Sequence, residues 1–256
     1  HQKVFKKTKK FAKKNKIKFG VLTFTPLPIM FFNKKIKNYR LASESQKLIL
    51  LEKYGVNFVI NIKFNKNFSK INARDFLKKI IYKKMNPKSL SVSNNFRFGR
   101  KRKGNVNLLK KFSNKYDYKL LNINPFQYSG KIVSSTRIRK CLKNGKIDLA
   151  NKLLSRTWFI EGQVKKGKKI GRKLGYRTCN IEVKNYILPK IGIYSVKVSI
   201  GDKKKYGGVA YLGSRPTFGG KEIFLETNIF GVKKSLYKKK LRVYFLKFLR
   251  RDRKFK

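Results

Sequence analysis

The sequence contains few acidic residues, few cysteines and a single histidine, and these scarcities exclude several classes of protein. Its two cysteines, Cys141 and Cys179, are far apart, which excludes a disulfide framework and the ligand spacing of a cysteine-based metal site. No apolar run approaches the roughly 18 residues that a membrane span requires, so we expect no membrane partner. The default setting for such a chain is a reducing cytoplasm.

Basic residues dominate the charge. Lys and Arg number 68 against 11 Asp and Glu, which gives a formal net charge of +57. Such a field attracts polyphosphate backbones and favours a nucleic-acid-binding protein. However, the lysines are spread along the whole chain, and the abundant Lys, Asn, Ile, Phe and Tyr all have A/T-rich codons. We therefore expect weak non-specific attraction at low salt and no dedicated nucleic-acid partner.

Length and hydrophobic patterning indicate two domains. The chain has 256 residues, of which 41% are hydrophobic, enough for two packed cores. Up to residue 154, apolar strands alternate with amphipathic helices, which favours an α/β domain with a parallel sheet. Beyond residue 155 the segments are strand-like with turns between them, which predicts an all-β, mostly antiparallel barrel or sandwich. We expect the domains to be 1–154 and 155–256.

Periodicity and chain breakers predict the individual elements. Helices are predicted over residues 2–15, 73–85 and 106–115, and a capping-box pair, Ser43 and Gln46, opens another that ends before Gly55. A turn is predicted at Pro26 and Pro28. The predicted strands are 19–24, 57–62, 89–93 and 119–123 in the first half, and 158–164, 192–200, 206–212, 223–230 and 241–249 in the second.

A short hydroxyl-rich segment at the start of a predicted helix has the composition of a phosphate site. It is Ser134-Ser135-Thr136-Arg137-Ile138-Arg139. The first turn of a helix offers free backbone N–H groups and the positive end of the dipole, both of which favour an anion. Arginines add charged donors that fit phosphate. An ordinary Ser/Thr cap followed by surface arginines explains the segment alone equally well.

Another candidate segment follows the predicted strand at 89–93. It is Asn94-Asn95-Phe96-Arg97-Phe98-Gly99-Arg100. The carboxyl ends of strands are where open α/β sheets bind ligands. For Phe96 and Phe98 themselves we favour a simpler role as core anchors.

A glycine-rich segment of the second half is followed by two oxygen donors. Gly167, Gly171 and Gly175 allow a ligand to approach the backbone closely. Thr178 and Asn180 are two residues apart, so on a strand they face the same way, which suits a Mg²⁺–nucleotide complex. Taken alone, a plain β-turn is the better explanation of this segment.

Two single residues are candidates for proton or charge chemistry. Glu226 is one of only 11 acids and lies in a predicted strand, and a carboxylate that faces a barrel pocket can act as a general base. The alternative is a structural partner for one of the 68 cations. His1 suits a phosphate-transfer site, but at the chain end it could equally be idle. Because the sequence starts at His1 and stops in charged residues, we expect both ends to be cut.

Together these segments resemble the bifunctional riboflavin kinase/FAD synthetase (FMN adenylyltransferase) family of bacteria, in the family's order and over essentially the whole chain. Residues 95–99 resemble its Asn/Asp-Phe-Arg-Phe-Gly segment, and Ser134–Arg139 its Ser-Ser-Thr-x-x-Arg phosphate motif. Residues 171–180 resemble its Gly-Arg-x-Leu-Gly-Phe-Pro-Thr-Ala-Asn motif, while residues 213–219 and 225–226 fall in register. Five ordered matches are far more specific than any one of them.

The resemblance implies that the second domain is a riboflavin kinase barrel. There ATP would phosphorylate the ribityl 5′-hydroxyl of riboflavin to give FMN, and Glu226 would take the hydroxyl proton. Thr178 and Asn180 would hold Mg²⁺ and the nucleotide phosphates. The glycines of this glycine-rich segment, Gly167, Gly171 and Gly175, would border the nucleotide.

The resemblance also implies that the first domain is an FMN adenylyltransferase with a Rossmann-like nucleotidyltransferase fold. FMN would attack the α-phosphorus of a second ATP and give FAD and pyrophosphate. Asn95 would contact the nucleotide, and His1 would stabilise the developing charge. The phosphates would be held by Ser134, Ser135, Thr136, Arg137 and Arg139. The expected partners are thus riboflavin, FMN and ATP, and we allow for weak self-association.

The sequence departs from the family pattern at several positions. Of the family's His-x-Gly-His motif only the last histidine is present, as His1, and we expect the opening strand, the glycine-rich loop and the terminal helix to be missing. The other departures are Leu27 for histidine, Arg177 for proline, Cys179 for alanine, Tyr211 for asparagine and Asn228 for histidine.

Two alternatives to the bifunctional enzyme stay open at this point. A basic nucleic-acid-binding protein on a nucleotidyltransferase-like scaffold would explain the charge, although the even spread of lysine argues against it. A chain in which only the kinase half works would follow if the missing opening loop disables the first domain.

Overall fold

The computed structural model of the chain describes residues 1–36, 38–165, 177–183, 186–201, 204–217, 220–232 and 234–252. Contacts divide the chain into two compact units. The first comprises His1–Ile36 and Ser45–Ile132, and the second comprises Lys37–Glu44 and Val133–Lys256. This division follows contacts, whereas the division by activity into 1–154 and 155–256 stays a prediction.

The first unit has parallel strands flanked by helices, and the α/β class expected for it is confirmed. Strand β1 (Gly20–Thr25) pairs in parallel with β2 (Phe58–Lys63), and β3 (Ser89–Ser93) pairs in parallel with β4 (Lys119–Ile123). A short antiparallel hairpin of β5 (Gln127–Tyr128) and β6 (Lys131–Ile132) is the last element of the unit. The remaining elements are α1 (Gln2–Lys14), α2 (Pro28–Phe32), α3 (Glu44–Lys53), α4 (Lys66–Ser69), α5 (Ala73–Asp75), a π-helix (Phe76–Met85), a 3₁₀ turn (Arg100–Arg102) and α6 (Val106–Ser113).

Two elements of the first unit differ from the sequence-based expectation. The helix predicted over 73–85 is mostly π-helical, and it buries Phe76, Leu77 and Ile81. The turn predicted at Pro26 and Pro28 instead leads into α2, where proline at the first position has no N–H to lose.

The second unit is a closed six-stranded barrel with two helices, so the predicted antiparallel all-β barrel is confirmed. Its elements are α7 (Ser135–Lys143), α8 (Ile147–Leu154), β7 (Phe159–Lys165), β8 (Thr178–Glu182), β9 (Gly192–Ile200), β10 (Lys205–Thr217), β11 (Gly220–Ile229) and β12 (Lys240–Arg250). Neighbouring strands follow the order β10-β11-β8-β7-β12-β9, and every pair is antiparallel. The interior is apolar, with Trp158, Tyr194 and Phe245 fully buried.

A short stretch from the first half of the chain, residues 38–44, packs within the second unit. We call it the 38–44 segment. The backbone N–H of Ile187 donates to the carbonyl of Arg40 at 2.8 Å, and the indole N–H of Trp158 donates to the carbonyl of Leu41 at 2.8 Å. Arg40 also forms an ion pair with Glu44. The segment is therefore fixed through its main chain.

Candidate active sites

The register of two barrel strands brings the proposed kinase residues together. Across the β8–β11 ladder Glu226 lies opposite Asn180, and Asn228 lies opposite Thr178. Directly opposed residues of a sheet project from the same face, with Cβ atoms about 5 Å apart. We call Thr178, Asn180, Glu226 and Asn228 the kinase patch.

The kinase patch lies on the outer face of the barrel. The alternating residues Ile181, Leu225 and Thr227 are 0–1% exposed and fill the interior, whereas the patch residues are partly exposed. Glu226 therefore projects away from the apolar core, so a substrate would reach it from outside the barrel.

Tyr211 borders the kinase patch on the next strand, opposite Glu226. Its hydroxyl donates to the Asp252 carboxylate at 2.6 Å, and its ring meets Phe224 edge-on at 5.6 Å. A side chain at Gly213 would come within 2.6 Å of the same ring, so glycine leaves the space that the ring needs. Burial, the bond to Asp252 and the charges of Asp252 and Glu226 raise the pKa of Tyr211 to about 12, and the phenol is neutral at pH 7.

The other edge of the kinase patch carries a fixed backbone and a cation. The Asn228 side-chain amide donates to the carbonyl of Arg177 at 2.9 Å, which fixes the start of β8 beside Thr178. Lys165 lies opposite Asn180 and forms an ion pair with Glu182, with a nitrogen–oxygen distance of 3.1 Å. A phosphorylated ligand at the patch would thus lie near at least one ammonium group.

The kinase patch fits a magnesium–nucleotide complex by its chemistry. Mg²⁺ prefers oxygen ligands and commonly combines one or two protein groups with phosphate oxygens and water. Thr178 and Asn180 supply a hydroxyl and an amide oxygen on one face. In the described part of the chain no three His, Cys, Asp or Glu side chains cluster as metal ligands. The proposed glycines Gly167, Gly171 and Gly175 lie outside the described residues.

The second predicted phosphate segment opens helix α7. Ser134 is the N-cap, and its hydroxyl accepts the backbone N–H of Arg137 at 3.2 Å. Ser135 and Thr136 form the first turn of this nine-residue helix, and Thr136 is exposed. Ile138 and Leu142 bury the opposite side, so packing orients the helix.

The Arg139 side chain extends from α7 to the 38–44 segment. Its Nε donates to the carbonyl of Tyr39 at 2.8 Å, and its guanidinium carbon lies 3.7 Å from the centre of the Tyr39 ring. Burial lowers the pKa of the Arg139 guanidinium, which the nearby Tyr39 partly opposes, but arginine stays charged at neutral pH. Sequence reasoning missed Tyr39, which belongs to no motif.

Asn95 lies at the carboxyl end of β3, as predicted from the sequence. The Ser93 hydroxyl donates to its side-chain oxygen at 2.6 Å. Phe98 is buried, as expected of a core anchor, but the same expectation is wrong for Phe96, which is 37% exposed and stacks on Phe98. Stacking on Phe98 covers only one face of the Phe96 ring, so the other face stays accessible.

His1 caps helix α1 and lies in the first unit with Asn95, whereas Ser134–Arg139 belong to the second unit. The His1 ring is 6.2 Å from the Phe5 ring.

Comparison with known proteins decides the family. A family model described as FAD synthetase matches residues 1–137, and one described as riboflavin kinase matches residues 154–256. The chain belongs to the bifunctional riboflavin kinase/FMN adenylyltransferases. The resemblance predicted from the motifs is thereby confirmed, and the family consists of transferases that use ATP.

Individual relatives agree with this assignment. The bifunctional riboflavin kinase/FMN adenylyltransferase of Buchnera aphidicola subsp. Schizaphis graminum is 39% identical over 98% of this chain and 82% of its own length. The Escherichia coli K12 enzyme of the same name is 31% identical over 95% of this chain and 78% of its own.

One solved structure has a similar fold, although its description names a different kind of protein. A crystal structure described as a macrolide-efflux protein from Streptococcus pneumoniae has a TM-score of 0.88 and 29% identity, covering 100% of this chain and 83% of its own. Among the described residues of the present chain, no helix has the length and apolar character that a membrane crossing requires.

Proposed function

We propose that this chain phosphorylates riboflavin to FMN and then adenylylates FMN to FAD with release of pyrophosphate. The kinase patch carries the proposal, because the register of β8 and β11 brings a carboxylate, a hydroxyl and an amide onto one face. The two matching family models, in this order along one chain, support both reactions.

In the kinase reaction, Glu226 accepts the proton of the ribityl 5′-hydroxyl as the oxygen attacks the γ-phosphorus of ATP. Thr178 and Asn180 bind the phosphates together with Mg²⁺, which neutralises their charge when it is bound. Gly167, Gly171 and Gly175 border the nucleotide. Tyr211, fixed by Asp252, limits the space on the other side of Glu226.

In the adenylylation reaction, FMN phosphate attacks the α-phosphorus of ATP and pyrophosphate leaves. The start of α7 supplies backbone N–H groups and the positive end of the helix dipole, and its side chains add hydroxyl and charged donors. Asn95 contacts the nucleotide, and His1 stabilises the charge that develops on the phosphates. The groups that hold the phosphates are Ser134, Ser135, Thr136, Arg137 and Arg139.

We further propose a cytoplasmic setting without a dedicated nucleic-acid partner and with at most weak self-association. Cys141 and Cys179 are both unpaired thiols, which agrees with a reducing compartment. The 68 basic residues are distributed over both units and do not form one tract that would track a nucleic-acid backbone.

The proposal is tested by incubating the purified chain with riboflavin, ATP and Mg²⁺ and separating the flavins by chromatography. We expect FMN and FAD. FMN without FAD would limit the proposal to the kinase reaction. A folded sample that makes neither product and binds neither riboflavin nor ATP would overturn it.

The role of Glu226 is tested by Glu226→Gln, which keeps shape and removes the base. We expect FMN formation to fall by about 10²–10⁴-fold. Glu182→Gln is the matched control, because it makes the same change on the same barrel face at a residue paired with Lys165. An undiminished rate for Glu226→Gln would remove Glu226 from the reaction.

A further inference from the structure

The Arg139 side chain is held at two points by a single residue of the 38–44 segment. The Tyr39 carbonyl accepts from Nε, and the Tyr39 ring covers one face of the guanidinium group at 3.7 Å. The two residues are 100 positions apart in sequence, so this contact depends on the tertiary fold. Such contacts remove most of the rotational freedom of an arginine side chain.

These two contacts do not use the two terminal amino groups of the Arg139 guanidinium, which could therefore donate to a ligand. Nε is occupied, but within the described residues no hydrogen bond from the terminal amino groups of Arg139 is recorded. Those two amino groups form the fork that binds phosphate with two parallel hydrogen bonds. A fork that is oriented before the ligand arrives loses less entropy on binding.

The fold of the 38–44 segment does not depend on the Tyr39 ring. Hydrogen bonds to the carbonyls of Arg40 and Leu41, from Ile187 and Trp158, fix the main chain on the carboxyl side of Tyr39. Removal of the ring should therefore free the Arg139 side chain without unfolding the segment. The carbonyl that binds Nε would also remain.

We propose that Tyr39 is a positioning residue of the FMN adenylyltransferase reaction, which orients the Arg139 guanidinium for the phosphates of ATP. The inference rests on the proposed function of Arg139 as a phosphate ligand. Tyr39 touches no reacting atom and acts only through Arg139. Tyr39 lies outside the segments that resemble the family motifs.

The test compares Tyr39→Ala, Tyr39→Phe, Arg139→Gln and the double variant Tyr39→Ala/Arg139→Gln. Binding of inorganic pyrophosphate and of ATP is measured by calorimetry at one fixed salt concentration, and KM for ATP is measured separately for FAD and FMN formation. We expect Tyr39→Ala to weaken pyrophosphate binding about three- to tenfold, and KM for ATP in FAD formation to rise by a similar factor. Tyr39→Phe should retain wild-type binding because it keeps the ring.

The variants separate a failure of this inference from a failure of the proposed function. If Arg139→Gln binds pyrophosphate as tightly as the wild type, Arg139 is not a phosphate ligand. The proposed role of Arg139 and the positioning role of Tyr39 are then both overturned. If Arg139→Gln binds weakly but Tyr39→Ala binds normally, only the role of Tyr39 is overturned. A role confined to packing predicts lower thermal stability of Tyr39→Ala with unchanged binding, which also overturns it. Support requires that Tyr39→Ala has no further effect once Arg139 is replaced.

Discussion

Glu226 lies directly opposite Asn180 on neighbouring strands of the barrel, with Thr178 one pair further along the same face. This pairing brings the proposed proton acceptor, Glu226, beside the two proposed oxygen ligands, Thr178 and Asn180. The arrangement depends on the pairing of β8 with β11, which is a property of the closed barrel.

Replacing the Thr178 hydroxyl by a methyl group in Thr178→Val should weaken the binding of Mg²⁺–ATP. We expect KM for ATP in FMN formation to rise about 10- to 100-fold, because an oxygen ligand is lost at constant side-chain volume. Steady-state kinetics at several Mg²⁺ concentrations provide the measurement. An unchanged Mg²⁺ requirement would show that Thr178 is not a ligand.

Thr227 lies on the opposite face of β11, and the same threonine-to-valine change there should increase the stability of the protein. The Thr227 hydroxyl is fully buried and has no recorded hydrogen-bond partner in the described structure. Thr227→Val should therefore stabilise the protein by about 1 kcal/mol, since it removes an unsatisfied polar group at the same volume. Chemical denaturation measures this, and FMN formation should stay unchanged. A loss of stability would mean that the hydroxyl has a partner.

Glycine at position 213 is needed for the placement of Tyr211. In Gly213→Ala the new methyl group would approach the Tyr211 ring to about 2.6 Å, so the ring must shift, and we expect its hydrogen bond to Asp252 to weaken. We expect a loss of about 1 kcal/mol in the free energy of unfolding. In a Tyr211→Ser variant, Gly213→Ala should lower the free energy of unfolding only slightly. An equal loss in both proteins would contradict the coupling between Gly213 and Tyr211.

A buried carboxylate on β7 should make stability depend on pH. Glu161 accepts from Lys240 and Arg242, each at 2.7 Å. Burial alone raises the pKa of Glu161, but these hydrogen bonds and charges outweigh it, so the pKa lies below its ordinary value. A carboxyl with a lowered pKa stabilises the fold above its unfolded-state pKa, and this stabilisation is lost as the pH falls through the folded-state pKa.

The variant Glu161→Gln tests this directly. Urea unfolding should show the wild type to be more stable at pH 7, and the difference should shrink as the pH falls from about 5 toward 3. A difference that stays constant over this range would assign the effect to packing. Thermal unfolding at pH 7 in high salt offers a second check, because the ion pair with the partly exposed Lys240 should weaken there.

The net charge of +57 predicts attraction to nucleic acid without specificity. Binding to a short DNA duplex should be detectable at about 50 mM salt and fall by orders of magnitude at about 200 mM. Fluorescence anisotropy with duplexes of different sequence measures both properties. Tight binding that survives about 200 mM salt, or depends on sequence, would support a dedicated nucleic-acid function.

The sequence predicted local features well and long-range pairings poorly. Ser134 was expected to open a helix, and it caps α7 through a hydrogen bond between neighbours in sequence. Tyr39 could not be found in this way, because it contacts Arg139 across 100 positions and follows no motif. Likewise, Asn180 and Glu226 were identified from motifs, but their opposition follows from barrel closure, which periodicity alone does not encode.

The 38–44 segment limits how the protein can be divided. The chain enters the second unit at residues 37–44, returns to the first, and enters the second again at Val133. Trp158 is fully buried, and its indole N–H relies on the carbonyl of Leu41. A fragment that comprises only residues 154–256 would lack this acceptor. The barrel thus takes one of its internal hydrogen-bond acceptors from a peptide encoded more than 100 codons upstream, and a fragment that also carries residues 38–44 should be more stable than one without them.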